Sequence, residues 1–206
     1  MPNLTENRAR LRDKNREQKR RELAENAITT IAQAGYANTT LRDIASSTGV
    51  SLGKIQYYFP EKEGLLLYCI DLSVNRFIGQ LNEIVGAKLS PREARGAYVE
   101  LFAHSIVNYA HLHRLWYDIR NQAMFDSQLK QRVADVEARF VSVCDELGKK
   151  FALNDVRGLE IYLMLDGAYR YFIQQSVAGL SVSVDDITHS VERLIGYLTR
   201  NQATDA

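Results

Sequence analysis

Proline is nearly missing from this 206-residue chain, occurring only at positions 2, 60 and 91. Proline fixes φ and has no N–H to donate, so its absence leaves long stretches free to run as uninterrupted helix. Cysteine is equally scarce. Cys69 and Cys144 stand alone, at no spacing that suits a metal or a redox pair, and read as reduced, buried thiols. No apolar run approaches the ~18 residues a membrane-spanning helix needs, so no membrane partner is expected. The N-terminus is charged rather than apolar, so no secretory leader is expected and the chain is expected in the cytoplasm. Histidine gives no metal site. His111 and His113 are two residues apart, about 200° round a helix, and are expected to be surface histidines in a loop. No nucleophile–base pair, phosphate-cradling glycine loop or metal cluster stands out. Catalytic residues, cofactor and metal are therefore all expected to be absent.

The chain does have enough apolar residues for a sizeable core, 46% against 25% charged. Its net charge of +1 hides an asymmetry. Residues 1–21 hold eight basic side chains (Arg8, Arg10, Arg12, Lys14, Arg16, Lys19, Arg20, Arg21) against three acidic ones, a net +5. The rest of the chain is mildly acidic. Such a tail suits a polyanionic partner, and equally a solvated leader.

Apolar spacing is helical throughout, with no strand alternation and no internal repeat, which predicts an all-α fold. The first helix is expected over 15–34, ended by Gly35. Thr40 with Asp43 three residues on forms a capping box for a short second helix, and Gly49 ends it. Ser51 can cap a third helix over 52–59, and Pro60 suits the first turn of a fourth, to about Val85. Beyond it, Ser90-Pro91-Arg92-Glu93 opens a helix to about His111. A shorter one is expected over 115–122, and Asp126 or Ser127 opens another to about Lys150. Asn154 or Asp155 opens the next, which Gly179 stops after Val177. Ser183 with Asp186 opens the last, to about Arg200. Nine helices result. They divide into a basic arm at 1–21, a three-helix domain at 15–66 and a six-helix domain at 67–206.

The segment Ile44–Ile55 has the spacing of a helix-turn-helix. Ala45 is small where two helices cross, Gly49 lies where the turn wants positive φ, and Val50, Ile55 and Phe59 plug the core. Around it run Gly35-Tyr36, Thr39-Thr40-Leu41-Arg42-Asp43-Ile44-Ala45, Gly49-Val50-Ser51 and Tyr58-Phe59-Pro60-Glu61-Lys62-Glu63-Gly64-Leu65. Over roughly residues 20–70 this closely resembles the N-terminal signature of the TetR family of bacterial regulators. Gln56 departs from it, standing where many members carry an aromatic residue.

The resemblance implies a homodimeric DNA-binding regulator, a repressor in many members, whose second domain binds a small molecule. It also implies double-stranded DNA, at a palindromic operator, as partner. The first turn of a helix in the major groove reaches base edges, which makes Leu52, Gly53, Lys54 and Gln56 the candidate base readers. Thr40, Arg42, Ser51, Tyr57, Tyr58 and Lys62 are candidate phosphate contacts. Each of Tyr57, Tyr58 and Lys62 has an ordinary structural reading as well, as packing or solvated residues.

In the second half, Leu159–Ile173 is apolar nearly all round, so it needs neighbours on every side. With the stripe Val184, Ile187, Val191, Leu194, Ile195 and Leu198, it is expected to form a four-helix seam between two copies through the last two helices. Of the many aromatics, Trp116, Tyr162 and Tyr169 are candidates to line an effector pocket with Asp166. Asp166 is expected to pair with Arg170 one turn on, the alternative being a role in recognising a cationic ligand. The stretch around Trp116-Tyr117 and Leu165-Asp166-Gly167 loosely resembles BetI-type C-terminal domains, which implies choline as a signal. Two other readings stay open: an enzyme that turns over a ligand in the aromatic cavity, and a purely structural helical dimer. The fourth helix is expected to transmit the effect of ligand binding.

Overall fold

The structure, a computed structural model, describes residues 4–35, 38–153 and 155–200. Tyr36 and Asn154, both used in the expectations above, lie outside the described residues, as does the side chain of His111. The described residues are helices joined by short turns, without a strand. They are α1 (Leu4–Ala34), α2 (Leu41–Thr48), α3 (Leu52–Tyr58), α4 (Lys62–Gly86), α5 (Pro91–Gln122), α6 (Ser127–Lys150), α7 (Gly158–Val177) and α8 (Val184–Arg200). Inside α5, Tyr109 leaves the helical region at φ −131°, ψ 21°. Counted as two segments, α5 brings the helices among the described residues to the nine that the apolar spacing predicts. The break comes at Tyr109 rather than after His111. Two compact units result, 1–73 and 74–206, with the division inside α4 rather than at 66/67.

In the first unit, Ala24, Ala27 and Ile31 of α1 pack with Ile44 of α2, Ile55 of α3 and Phe59. Leu65, Leu66 and Cys69 of early α4 complete the core, while Val50 is only half-buried. Burial pushes the Cys69 thiol up to about 12. Gly35 takes a left-handed φ of 83° and its N–H donates to Ile31 O at 2.9 Å, which closes α1 as expected. The Thr30 and Ser47 hydroxyls meet at 2.7 Å and tie α1 to α2. At its other end α1 begins at Leu4, not near Asn15. Residues 4–14 contain no helix breaker, but they are almost all polar and so carry no apolar period to read. Pro60 precedes α4 rather than entering its first turn, because the helix starts at Lys62.

The second unit is centred on α5. Its Tyr98, Phe102 and Ile106 pack with Leu147 from α6, Phe151 just beyond it, Ile161 and Leu165 from α7, and Ile187, Val191 and Ile195 from α8. Of the apolar stripe of α8, Ile187, Val191 and Ile195 are thus buried inside their own chain, while Val184, Leu194 and Leu198 stay half-buried. What α7 leaves exposed is the opposite row, Leu159, Leu163 and Tyr171.

The helix ends follow local chemistry. α5 has the full capping box: Ser90 accepts from Glu93 N at 3.3 Å, and the Glu93 carboxylate accepts from the Ser90 hydroxyl at 2.7 Å and from Ser90 N at 2.8 Å, which together hold it below its ordinary range. α7 starts at Gly158, later than Asn154 or Asp155, because Asp145 of α6 accepts the Gly158 N–H at 2.5 Å. A β-carbon at Gly158 would lie 2.6 Å from the Asp145 backbone nitrogen, so only glycine fits there. α7 ends at Gly179 in a Schellman arrangement, with Leu180 N donating to Gln175 O at 3.1 Å and Gly179 N to Ser176 O at 3.1 Å. α6 ends in the same way, but there the left-handed position, φ 61°, is held by Ala152. An L side chain in this region costs about 1–2 kcal/mol, partly offset by glycine's greater freedom when unfolded. Ala152→Gly is therefore expected to stabilise the protein by about 0.5–1 kcal/mol, read as a rise in its urea midpoint; a fall would mean that the Ala152 methyl packs usefully.

Candidate functional site

Two sites emerge, one in each unit. The first is built by the α2–turn–α3 segment. Thr40 caps α2, accepting from Asp43 N at 3.2 Å, and Asp43 accepts the Thr40 N–H at 2.8 Å. The Thr40 hydroxyl and amide hold the Asp43 carboxyl below its usual range. Gly49 turns the chain at φ 67°. Ser51 then caps α3, accepting from Lys54 N at 3.3 Å.

The seven residues of α3 divide sharply. Ile55 is buried, as is Phe59 just beyond, and they anchor the helix. Gly53, Lys54, Gln56 and Tyr57 are exposed, while Leu52 and Tyr58 are half-buried. A β-carbon at Gly53 would meet nothing within 4 Å, so packing does not demand glycine there. Tyr57 and Tyr58 meet edge to face at 4.9 Å. Thr40, Arg42 and Ser51 are exposed beside this segment, and Lys62 is half-buried with a partner of its own. Arg16 of α1 lies over the Tyr57 ring at 6.0 Å, and Arg20 lies over Phe59 and Tyr68 at 5.0 and 4.8 Å. Tyr68 donates to Glu17 at 2.5 Å, and burial followed by that hydrogen bond pushes its hydroxyl up to about 12.

The second site is a cavity of about 80 Å³ inside the second unit. Trp116, Tyr162, Asp166 and Tyr169, the four residues proposed from sequence, all line it. Sequence reasoning missed the rest of the wall, chiefly Phe77, Phe102, His113, Tyr117 and Phe140. His113 is not a loop residue: it sits within α5, its ring edge-on to Tyr169 at 4.8 Å. Among the described residues, no group of three or more potential metal ligands converges. Phe140 and Tyr162 stand parallel, 6.1 Å apart. Ser105 and Tyr169 share a hydrogen bond deep in the wall.

The polar end of the cavity corrects the expected Asp166–Arg170 pair. Arg120 of α5 donates to both Asp166 oxygens, at 2.9 and 2.8 Å, and Tyr117 donates to Oδ1 at 3.0 Å. The other side of the guanidinium meets Glu137 of α6 at 2.9 Å. One cation thus joins α5, α6 and α7. Arg170 is exposed and lies over the Tyr117 ring at 5.8 Å instead. One helical turn on, it is rotated about 40° from Asp166, toward the exposed side of α7. Burial, and then the Asp166 charge, raise the Tyr117 and Tyr162 hydroxyls far above the usual phenol range. Burial pulls the Arg120 guanidinium down, but its bond and charge contact with Asp166 outweigh this and raise it. The Tyr162 hydroxyl is buried with no hydrogen-bond partner among the described residues. A buried orphan hydroxyl costs about 1–3 kcal/mol and marks a place where a partner belongs.

A helix-turn-helix whose second helix is largely exposed, in a chain that also carries a walled cavity, fits a DNA-binding regulator. Residues 23–69 match the model of the bacterial regulatory proteins of the tetR family. Over those residues the chain is similar to the TetR family of transcriptional regulators. It is 30% identical over 117 residues to the HTH-type transcriptional regulator BetI of Cronobacter sakazakii, covering 54% of this chain and 56% of that protein. A transcriptional regulator from Saccharomonospora viridis, solved in complex with choline, has the same fold at TM-score 0.71 and 22% identity, covering 87% of this chain and 96% of that one. FadR from Bacillus subtilis, solved with stearoyl-CoA, superposes at TM-score 0.67 and 17% identity over 85% of this chain and 95% of its own. None of the described helices is long and apolar enough to cross a membrane.

Proposed function

We propose that this regulator is a repressor that binds a palindromic DNA operator as a homodimer and leaves it when a small organic effector enters the cavity of the second unit. The observation that carries the reading is the division of α3: Ile55 faces the core, while Gly53, Lys54, Gln56 and Tyr57 stand outside it. Leu52, Gly53, Lys54 and Gln56 read base edges. Lys54 suits guanine O6 or N7, and Gln56 suits adenine N6 and N7. Thr40, Arg42, Ser51, Tyr57, Tyr58 and Lys62 hold phosphates. The exposed row Leu159, Leu163 and Tyr171 on α7 is the surface that meets a second copy. The chain acts by binding, not by turnover.

The effector lowers operator affinity by binding better to the state that does not fit DNA, and by no more than that difference. Choline, held by the Saccharomonospora regulator, is an obvious candidate. In this chain, however, the one carboxylate that lines the cavity among the described residues, Asp166, is already satisfied by Arg120 and Tyr117. The cavity therefore suits a mainly apolar, uncharged molecule with one hydrogen-bonding group for Tyr162. A gel-shift titration on the DNA upstream of the chain's own coding sequence tests the DNA reading. Absence of a shift on any palindromic site at low salt would overturn it. Thermal-shift comparison of choline with uncharged aromatic alcohols tests the effector class, and a larger shift with choline would refute the assignment.

Gly53 allows a separate check. Alanine is the better helix former by about 0.8–1.0 kcal/mol in a helix interior, and the added methyl has room here. Gly53→Ala is thus expected to leave the melting temperature unchanged or raised while operator affinity falls, since the new methyl meets the duplex. Unaltered affinity in a gel shift would remove Gly53 from the interface.

A further inference from the structure

We propose that the N-terminal part of α1 is a second DNA-binding element, a basic stripe that holds duplex phosphates outside the groove read by α3. The proposal rests on the DNA-binding reading but concerns residues that precede the family match, which begins at residue 23. Arg8, Arg12 and Arg16 recur every four residues, on one face of the helix.

Among the described residues the fold offers Arg16 only the Tyr57 ring, at 6.0 Å, and Arg8 and Arg12 no ion pair. Residues 6–19 are exposed, and Arg8, Arg12 and Arg16 have no carboxylate partner among the described residues. Like charges at i, i+4 destabilise a helix by about 0.2–0.5 kcal/mol per pair. A merely solvated face would mix signs, as the next stretch of α1 does: Lys19 meets Glu22 at 2.6 Å, Arg20 meets Glu17 at 3.4 Å and Arg21 meets Glu25 at 3.0 Å. The acidic residues near the stripe, Glu6, Asp13 and Glu17, lie about 100° or more round the helix from its centre.

Two observations select duplex DNA as the occupant. Arg16 lies over the exposed ring of Tyr57 at 6.0 Å, so the stripe is continuous with α3 within the same unit. Successive arginines are about 6 Å apart along the axis, comparable to the separation of neighbouring phosphates along one strand. An anionic membrane is a poor match. A surface-lying helix needs an apolar face, and between residues 6 and 18 Leu11 is the only large apolar side chain.

The test uses the full chain and two unrelated 40-base-pair duplexes, followed by fluorescence anisotropy from 50 to 200 mM salt. Arg8→Gln with Arg12→Gln removes two charges and keeps good helix formers. In the dimer the two substitutions remove four charges; if each arginine neutralises one phosphate, the slope of log K against log salt becomes shallower by about 3.6. Across that range the variant then loses affinity about 150-fold less than the wild type. The change is expected equally on both duplexes and is reversed by Arg8→Lys with Arg12→Lys. An unchanged slope, with the wild type still bound, overturns the stripe alone. A change confined to one duplex overturns the phosphate assignment. A wild type that binds neither duplex at 50 mM salt overturns the DNA-binding reading beneath it.

Discussion

A Lys54→Ala, Gln56→Ala variant is expected to keep its fold and lose its operator. Both side chains are exposed, and neither serves the core that Ile55 and Phe59 anchor. Surface substitutions away from special features usually fall within about 0.5 kcal/mol, so the melting temperature should barely move. A side chain that reads a base well is worth about 1–3 kcal/mol of discrimination. Two such readers on each recognition helix therefore place the loss of specific affinity at roughly 30-fold or more per half-site. Non-specific affinity should fall far less, because only one of the two residues carries charge. Gel shifts on operator and scrambled duplexes measure both. Equal losses on the two would show that this pair touches phosphates rather than bases.

The largest expected effect on the second unit comes from Arg120→Met. That guanidinium joins two carboxylates on different helices, Asp166 at 2.8 Å and Glu137 at 2.9 Å. Removing one member of a buried pair costs about 3–5 kcal/mol, because the other charge is left unpaired. Here Arg120 and Asp166 keep about a fifth of their side-chain surface (23% and 20%) and Glu137 keeps 35%. Water relieves part of the penalty, which sets the expected loss at about 2–3 kcal/mol. Adding Asp166→Asn removes the stranded charge and leaves an oxygen to accept from Tyr117. The double variant is therefore expected to regain a large part of the loss, measured as urea midpoints in a double-mutant cycle. Strict additivity would show that the pair contributes through packing alone.

The difference between what sequence foretells and what it misses follows the range of the interactions. Caps and stops are local: Thr40 with Asp43, Ser90 with Glu93 and Gly179 act within a few residues and could be read directly. Membership of the aromatic wall was also legible in part, since a tryptophan and buried tyrosines at helical spacing have to converge somewhere. The Arg120–Asp166 bond was not, because the two residues are 46 apart and the local pair with Arg170 satisfies every rule that looks only along one helix. An available signal was that Asp166 sits on the side of α7 facing its neighbours, where a cation must come from another element. Likewise α7 begins at Gly158 because of Asp145, thirteen residues earlier on α6. The N-terminal extent of α1 escaped notice for the opposite reason: a helix exposed all round has no apolar rhythm.

The departure of Tyr109 from helical geometry gives the cavity a particular kind of adjustability. Tyr98 and Phe102 lie before it on α5, and His113, Trp116 and Tyr117 lie after it, all of them on the same wall. The dimensions of that wall are thus governed by a bend between two stiff rods, as well as by the choice of side-chain rotamers. A guest too bulky for the resting shape can gain room by opening the bend, which spares the interlocked rings on either side. The strain would then surface at Arg120, near the end of the second rod, where three helices are pinned by one group.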